Sequence, residues 1–479
     1  MKKWISGVMT ASLLFSSAIF AVPSVAHGEG YETEDNGNMA NATPITVNDT
    51  YRGILRDDSD VDYYKFSLNQ PGLVTFSLPN KSQSGGRIEI SIIDKNGNTQ
   101  ADLVNNPTSA YDMVENSVGL AAGDYFVKVK TYDYYVKNEP YSFTLSFKPG
   151  NTYEQEPNEN LAEATLVNVN NVIEGVIESD SDDDYYKIIL PKPGKLTFTM
   201  PNEGTNKKIS ILTKNHGELA YFYTDNKSAY EAFTASVGLP AGEFYIKVED
   251  NDWRISNSPY QVELTFKEGD NYEKEFNDSL RTADPIKLNS EIEGFVKNEY
   301  DKDYYKITLP QPTKVKVLLS NTGYSKYVSI YDKDNNKLTS FSTDPSTDYD
   351  GYYTEIGLNK GEYYIVVEDN DWHIFNDQYT LTVTAPKPSV WWGKVKLVKG
   401  QIGKVTVLKD TYLWKMDAKG KLTSVRKLKK GEELRVYSYK NGMYGVGGGY
   451  YVKKDAAVKY ETPSKTKLKQ LEEINKYYN

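Results

Sequence analysis

A block of about 120 residues occurs three times along the chain and constrains the fold more than any other feature of the sequence. ETEDNGNMANATPI starts at residue 32, EQEPNENLAEATLV at 154 and EKEFNDSLRTADPI at 273, which gives offsets of 122 and 119 residues. Further blocks follow in the same order in each copy, including SDVDYYKF, SDDDYYKI and YDKDYYKI. A period this long is the size of a domain and too long for a solenoid unit. The sequence therefore predicts three tandem domains.

Each copy has the pattern of an all-β domain. In YYKFSL, Tyr64, Phe66 and Leu68 alternate with Lys65 and Ser67, which is typical of a half-buried strand. Short strands recur between turns rich in Gly, Pro and Asn, and no long amphipathic helical stretch lies between them. The pattern predicts three tandem β-sandwiches.

Changes in composition set the expected boundaries. The predicted segments are a signal peptide at 1–26, sandwiches at 30–149, 150–268 and 269–387, a small basic β-barrel at 390–461 and a terminal helix or tail at 462–479. The barrel is predicted from the short strand-like runs KVTVL, TYLWKM, ELRVYSY and YYVKK. Leu468, Leu471 and Ile474 have helical spacing in the last segment.

The first residues predict an exported protein. Lys2 and Lys3 precede an apolar run from Trp4 to about Val22, and the small residues SVA at 24–26 fit a cleavage site. The alternative is an uncleaved membrane anchor, but the run is short. The chain contains no cysteine, although disulfides are permitted outside the cell. We expect a secreted or cell-surface protein that is not membrane-bound after cleavage and whose domains are stabilised by something other than disulfides.

Charge divides the chain into two parts. The net charge is −10, but residues 390–479 contain 21 Lys and Arg against 8 Asp and Glu, a net of +13, so residues 1–389 carry −23. A basic domain on an exported protein can bind anionic wall polymers. The alternatives are a lysine-rich surface that serves only solubility and a nucleic-acid site, and the expected export argues against nucleic acid.

Every copy also contains two acidic segments, one in the opening Glu-x-Glu-x-Asn block and one just before the paired tyrosines. Carboxylate and amide oxygens, without histidine or sulfur, suit calcium. The alternative is two separate, solvated acidic loops. The Asp58-x-Asp60-x-Asp62 run does not fit an EF-hand, because Tyr63 stands where that loop requires glycine.

The order of these motifs resembles the bacterial pre-peptidase C-terminal domain and is similar to the collagen-binding domains of clostridial collagenases, over about residues 30–387. The resemblance implies jelly-roll-like β-sandwiches in which calcium ties the N-terminal segment to the loop before the tyrosine-bearing strand. Copy three matches best, because Asn277 is followed by Asp278, where copies one and two have Gly37 and Glu159. Carried over by position, the implied metal ligands are Glu32, Glu34, Asn36, Asp60, Asp62, Glu154, Glu156, Asn158, Asp182, Asp184, Glu273, Glu275, Asn277, Asp278, Asp301 and Asp303. The basic domain resembles bacterial Src-homology-3-like wall-binding barrels.

One aromatic residue recurs in the stretch that links two late strands of each copy. Tyr134, Trp253 and Trp372 occupy equivalent positions, the last two within EDNDW. An aromatic side chain at a hairpin tip can stack on a sugar or another ligand. The alternative is a ring folded back on its own sheet.

The sequence does not favour an enzyme. The three histidines, His27, His216 and His373, belong to no catalytic motif, and a catalytic site is not normally needed three times in one chain. The favoured function is a secreted, calcium-stabilised, non-catalytic binding or adhesion protein with an envelope-attaching C-terminal domain. Its expected partner is a cell-wall polymer, extracellular matrix or a polysaccharide. Two alternatives stay open: an accessory or targeting chain of a secreted protease or other hydrolase, and a hydrolase that uses the acid pairs.

Overall fold

A computed structural model describes residues 30–133, 137–179, 181–202, 205–224, 232–251, 257–372, 376–417 and 420–478. The predicted signal peptide lies outside these residues. The chain forms two compact units, one that ends at Asn151 and one that begins at Thr152. No helix in the described ranges is long and apolar enough to cross a membrane.

Repeat 1 makes up the described part of the first unit and is a two-sheet sandwich. Its strands are β1 Gly30–Tyr31, β2 Thr43–Pro44, β3 Asp49–Leu55, β4 Val61–Leu68, β5 Gly72–Pro79, β6 Ile88–Asp94, β7 Thr99–Val104, β8 Met113–Leu120, β9 Gly123–Thr131 and β10 Glu139–Pro149. One sheet has the order β1-β3-β10-β5-β8 and the other β2-β4-β9-β6-β7. A single 3₁₀ turn, Met39–Asn41, precedes β2.

Repeat 2 has the same plan within the second unit. Its strands are β11 Thr165–Leu166, β12 Asn171–Ile177, β13 Asp183–Leu190, β14 Gly194–Pro201, β15 Lys207–Thr213, β16 Glu218–Tyr223, β17 Ala232–Leu239, β18 Gly242–Asp250 and β19 Ser258–Glu268. The sheets have the orders β12-β19-β14-β17 and β11-β13-β18-β15-β16. An isolated bridge from Tyr153 to Glu174 takes the place of the β1–β3 pairing.

Repeat 3 follows with the same order again. Its strands are β20 Asp284–Pro285, β21 Ser290–Val296, β22 Lys302–Leu309, β23 Thr313–Ser320, β24 Lys326–Asp332, β25 Lys337–Ser342, β26 Gly351–Leu358, β27 Gly361–Asp369 and β28 Asp377–Thr384. The sheets have the orders β21-β28-β23-β26 and β20-β22-β27-β24-β25. Each repeat is therefore a β-sandwich, and the predicted all-β fold class is confirmed.

The core of each sandwich arises from the alternation seen in the sequence. Along β4, Tyr64, Phe66 and Leu68 are buried while Lys65 and Ser67 are more exposed, because successive side chains of a strand point to opposite faces. The buried face of β4 and its counterparts in β13 and β22 meets the inner face of the other sheet. These strands begin within the second acidic segment of their repeat, so the packing of the strand also fixes its last aspartate, which is Asp62, Asp184 or Asp303.

Within the second unit, the opening segment of repeat 3 lies against repeat 2. The backbone N–H of Glu275 donates to the carbonyl of Gly238 at 3.1 Å. The side chain of Asn376 accepts from the N–H of Ser236 and donates to its carbonyl, each at 2.7 Å. Repeat 3 thus contacts β17 of repeat 2 through its acidic opening and, separately, through the residue just before β28.

The basic region consists of short strands. They are β29 Trp391–Trp392, β30 Val395–Lys396, β31 Gly403–Val407, β32 Thr411–Met416, β33 Leu422–Leu428, β34 Glu433–Val436, β35 Ser438–Lys440, β36 Met443–Gly447, β37 Tyr450–Lys453 and β38 Val458–Glu461. The larger sheets, β34-β31-β38 and β33-β32-β37-β36-β35, share a small core that includes Val405, Val436 and Tyr444. The closed barrel expected at 390–461 is not found: among the described residues the strand pairings form three separate sheets, the two larger ones and β29-β30, and do not close a ring.

The predicted terminal helix is present as α1, Lys465–Tyr477, and it belongs to the body of repeat 3. Ser464 caps it by accepting from the N–H of Lys467. Ile474 and Tyr478 are buried in the core of repeat 3, and the N–H of Leu288 donates to the carbonyl of Tyr477 at 2.8 Å. The end of the chain thus completes the third sandwich.

Candidate metal centres

The two acidic segments of each repeat meet at one network of buried hydroxyl and carboxyl groups. In repeat 2, the hydroxyl of Tyr260 donates to Oδ2 of Asp184 at 2.7 Å and lies 2.6 Å from the hydroxyl of Tyr186, which contacts Oε2 of Glu154 at 3.4 Å. The corresponding groups make the same contacts in the other repeats. These groups are Glu32, Asp62, Tyr64 and Tyr141 in repeat 1, and Glu273, Asp303, Tyr305 and Tyr379 in repeat 3.

Backbone hydrogen bonds fix the acids of the network. Oε1 of Glu154 accepts from the N–H of Val176 at 2.9 Å, and Oδ2 of Asp182 accepts from the N–H of Glu178 at 2.7 Å. The equivalent bonds in repeats 1 and 3 measure 2.8–2.9 Å. The N–H of Tyr185 also donates to the carbonyl of Asn158 at 3.0 Å. These bonds hold the opening segment of a repeat beside the strand that carries its tyrosines.

A glycine makes room for this arrangement. A Cβ on Gly175 would lie 2.3 Å from Oε2 of Glu154 and 2.4 Å from the hydroxyl of Tyr260. A Cβ on Gly53 would likewise meet Glu32 and Tyr141, and one on Gly294 would meet the hydroxyls of Tyr379 and Tyr305 at 2.5 and 2.6 Å. The glycine that recurs before each acidic loop is therefore required by the close approach of the carboxyl and hydroxyl groups.

Repeat 2 concentrates negative charge in a group of acids that is not paired with a cation among the residues that the structure describes. Glu154, Glu156 and Asp184 each place one carboxylate oxygen so that the three oxygens lie within 4.8 Å of one another. In the described part of the chain, no salt bridge reaches these three carboxylates or that of Asp182. Two carboxylates 4 Å apart repel each other by about 4 kcal/mol at an effective dielectric constant of 20. The group therefore requires protons or a cation.

The side-chain amide of Asn158 points into the same group. It is fully buried, and the atom in the oxygen position lies 3.1 Å from Oδ1 of Asp184 and 3.3 Å from Oε1 of Glu156. With the amide rotated, its nitrogen would donate to both carboxylates. With the oxygen in that position, four oxygens converge, which is the donor set of a hard cation such as calcium. The residues present thus fit calcium.

Burial raises the pKa values of these acids. It raises the pKa of Glu156 to about 10, with further increases from the charges of Asp184 and Asp182. Burial also raises the pKa of Asp182 to about 6, and it raises the pKa values of Glu154 and Asp184 well above their ordinary range. A divalent cation would favour the ionised forms, because an opposite charge close by lowers the pKa of a carboxyl group.

Repeat 3 has a similar acid group but contains its own cation. Glu275, Asp301 and Asp303 bring three oxygens within 4.8 Å of one another. The ammonium of Lys297 lies 2.9 Å from Oδ1 of Asp301, 3.4 Å from Oε1 of Glu275 and 3.8 Å from Oδ1 of Asp278. Burial disfavours the charged lysine, but the charges of Glu275 and Asp301 outweigh this and raise the pKa of Lys297 above its ordinary value. The third acid group is thus neutralised in part by the protein itself.

The acid centre of repeat 1 also contains a cation, but its ion pair is more exposed to solvent than the one in repeat 3. Arg56 forms an ion pair of 2.7 Å with Oε1 of Glu34, and the two side chains are 55% and 29% exposed. Burial raises the pKa of Glu34, and the charge of Glu32 raises it further. Asp62 is fully buried, and burial raises its pKa to about 8 although the hydrogen bond from Tyr141 lowers it.

The position that supplies or withholds a cation therefore distinguishes the three centres, and the sequence analysis missed it. Arg56, Glu178 and Lys297 each stand three residues after the recurring glycine. The charge of Glu178 raises the pKa of Glu156, so this side chain adds to the negative group instead of neutralising it. An alignment of the three copies at Gly53, Gly175 and Gly294 contains this signal. The closing tyrosines Tyr141, Tyr260 and Tyr379 were also visible as a repeated feature but were not identified as acid partners.

Of the three aromatic residues predicted to bind a ligand, the structure describes one. Trp372 is 75% exposed and has a φ of 58°, in the segment after β27. Tyr134 and Trp253 lie outside the described residues. The exposure of Trp372 leaves its ring accessible to solvent, and its role as a ligand contact stays a prediction.

Comparisons with known proteins give weak similarities. No family model matches the sequence. The pre-peptidase C-terminal domain of a collagenase from Bacillus anthracis is 18% identical over 21% of this chain and 94% of that chain, with a TM-score of 0.19. Tandem CBM51 modules of a family 98 glycoside hydrolase from Streptococcus pneumoniae are 10% identical over 45% of this chain and 83% of that chain, with a TM-score of 0.16. The tandem CBM22 domains of Xyn10C from Paenibacillus barcinonensis are 11% identical over 43% of this chain and 82% of that chain, with a TM-score of 0.17.

Proposed function

We propose that this chain is a secreted, non-catalytic binding or adhesion protein. Three sandwiches form an acidic arm, and the lysine-rich C-terminal region attaches the arm to an anionic polymer of the cell envelope. On their order of motifs, the sandwiches are pre-peptidase C-terminal-like domains. At least one of them is held together by calcium.

The observation that carries the attachment is the alternation of lysine and aromatic side chains on the sheet β33-β32-β37-β36-β35. The ammonium of Lys453 lies 4.4 Å from the ring centre of Trp414, and that of Lys454 lies 5.0 Å from the ring centre of Tyr439. Tyr412 lies beside Trp414, at 6.2 Å between ring centres, and is 48% exposed. Aromatic rings contact sugar faces, and lysines attract phosphate or carboxylate groups. A polymer with both sugar rings and negative charges matches this surface.

The buried acids support a structural role over catalysis. Asp62, Asp184 and Asp303 have no exposed surface, and each accepts a hydrogen bond from a buried tyrosine hydroxyl. A substrate could not reach these carboxyl groups without opening the sandwich. A calcium ion among such acids would neutralise their charge and fasten the opening segment of the domain to its body.

Binding of the full chain to purified bacterial cell walls that carry anionic polymers tests the attachment. The chain should sediment with the walls, and the bound fraction should fall as salt is raised from low concentration to 0.5 M, because salt screens exposed charges. The key variant reverses three exposed lysines of the basic region whose side chains form no ion pair with any residue that the structure describes: Lys409→Glu, Lys430→Glu and Lys440→Glu. We expect this variant to lose most of the binding.

A matched variant controls for the change in total charge. It reverses three exposed lysines of the sandwiches, Lys95→Glu, Lys267→Glu and Lys287→Glu. This control should bind the walls like the unchanged chain. Equal losses in both variants, or binding that does not respond to salt, would contradict attachment through the basic region. Recovery of a hydrolase with the chain from culture medium, without wall binding, would favour the accessory role instead.

A further inference from the structure

The three acid centres share one backbone plan but differ in the charge of the residue three positions after the recurring glycine. Each has a glutamate bound to a backbone N–H, a buried aspartate bound to a tyrosine hydroxyl, and a second aspartate that accepts from the N–H of the variable residue. The variable residue is Arg56 in repeat 1, Glu178 in repeat 2 and Lys297 in repeat 3. Because the surroundings are so similar, this residue is the natural place to look for a difference in function.

From this difference we infer that repeat 2 is the calcium-dependent domain of the chain, and that Arg56 and Lys297 serve as built-in cations that replace the metal in repeats 1 and 3. This inference rests on the calcium part of the proposed function and assigns the ion to one domain. The ion would be held by Glu154, Glu156, Asp184 and the amide oxygen of Asn158.

The contacts of Lys297 in repeat 3 support the inference that a lysine ammonium takes the place of the metal ion there. The ammonium of Lys297 contacts Asp301 and Glu275 at 2.9 and 3.4 Å, and these are two of the three acids whose oxygens converge there. The lysine side chain is 15% exposed, while those of Glu275 and Asp301 are 1% and 0% exposed. A divalent ion in the same space would be repelled by the buried ammonium and would compete with it for the same oxygens.

The converging acids of repeat 2 support the inference that this domain binds calcium. Its three converging acids have no salt bridge in the described part of the chain, and the fully buried amide of Asn158 is aimed at two of them. Asp182 adds a further carboxyl group beside them and accepts from the backbone N–H of Glu178, whose negative charge raises the pKa of Glu156. Calcium accepts six to eight oxygen ligands, so a group rich in carboxylates suits it.

Calcium titration of the metal-stripped full chain by calorimetry, with calcium chloride as the probe, tests the assignment. The unchanged chain should bind one calcium ion. Glu178→Lys, which gives repeat 2 the side chain of repeat 3, should bind none, whereas Lys297→Glu should bind two. Two or three ions on the unchanged chain, or one ion retained by Glu178→Lys, would overturn the assignment while leaving a calcium-stabilised protein intact. No binding at all by the unchanged chain would remove the calcium part of the proposed function as well.

Two further variants distinguish a specific loss of calcium binding from a loss of the fold. Glu178→Gln introduces no new charge and should weaken calcium binding by about tenfold or more, with an unchanged circular dichroism spectrum. Glu263→Lys makes the same charge change as Glu178→Lys on the exposed face of β19 and should still bind one ion. Loss of calcium binding in Glu263→Lys, or unaltered affinity in Glu178→Gln, would count against a role for the side chain at position 178.

Discussion

Repeats 2 and 3 have the same strand order and the same tyrosine–carboxyl network, yet they solve the problem of buried negative charge in different ways. Repeat 3 places the ammonium of Lys297 among its acids, 2.9 Å from Asp301. Repeat 2 has Glu178 at that position. Burying a carboxylate is unfavourable unless a partner compensates its charge. The comparison shows that one fold can supply this partner from its own chain, and under the inference above repeat 2 takes it from the solvent as calcium instead.

The largest effect is expected from removing the internal cation. In metal-free buffer, Lys297→Met leaves the carboxyl groups of Glu275 and Asp301 without their partner and should destabilise repeat 3 by about 3–5 kcal/mol. Glu178→Met removes a negative charge from repeat 2 and should change its stability by less than about 1 kcal/mol. Urea titration followed by hydrogen exchange and mass spectrometry measures each repeat separately. Similar losses in the two repeats would show that the charge at this position does not distinguish them.

Removing a tyrosine hydroxyl should have a smaller effect that is common to both repeats. Tyr260→Phe and Tyr379→Phe each leave a buried aspartate without its hydroxyl donor and should cost about 1.5–3 kcal/mol. Calcium should reduce the loss for Tyr260→Phe only, because the ion would compensate Asp184 in repeat 2. Equal rescue of both variants by calcium would mean that repeat 3 also accepts the ion.

Adding a Cβ at Gly175 tests whether the close approach of the carboxyl and hydroxyl groups contributes to the stability of repeat 2. Gly175→Ala would place a Cβ 2.3 Å from Glu154 and should destabilise repeat 2 by about 1–3 kcal/mol. The expected calcium affinity of this variant is also lower, since Glu154 must move. Gly357→Ala is the control, because a Cβ there meets no atom within 4 Å. Equal thermal midpoints for the two variants would contradict the packing argument.

The smallest effect is expected in repeat 1. Arg56 is 55% exposed, so its ion pair with Glu34 is screened by solvent, and Arg56→Gln should cost no more than about 1 kcal/mol. The loss should shrink further in 0.5 M salt. A cost as large as that of Lys297→Met would show that the exposed pair acts like the buried one.

The sequence predicted the fold well where local patterns decide it. The alternation in YYKFSL predicted that Tyr64, Phe66 and Leu68 share a buried face, because strand geometry fixes the direction of each side chain. The spacing of Leu471 and Ile474 likewise predicted the terminal helix. Its docking on repeat 3 could not be predicted, because the contact of Tyr478 with Leu288 joins residues far apart in the chain.

For the candidate sites, the sequence predicted the acids that the three centres share but not the residue that makes the centres differ. The Glu-x-Glu and Asp-x-Asp segments predicted carboxyl groups that do meet in the fold, because both segments recur with the repeat, and their role as metal ligands stays a prediction. The identical motifs did not predict that the centres differ, since the decisive residue lies outside them, three positions after the glycine. Whether Glu178 and Asp182 lie side by side depends on the turn between them, which the sequence pattern does not specify.

A crystal structure of the full chain grown with calcium chloride, with anomalous difference maps, tests the central claim most directly. We predict one strong peak, among the side-chain oxygens of Glu154, Glu156 and Asp184, and no peak beside the ammonium of Lys297. Comparable peaks in repeats 2 and 3, or an empty centre in repeat 2, would contradict the claim that Lys297 replaces a metal that repeat 2 must bind.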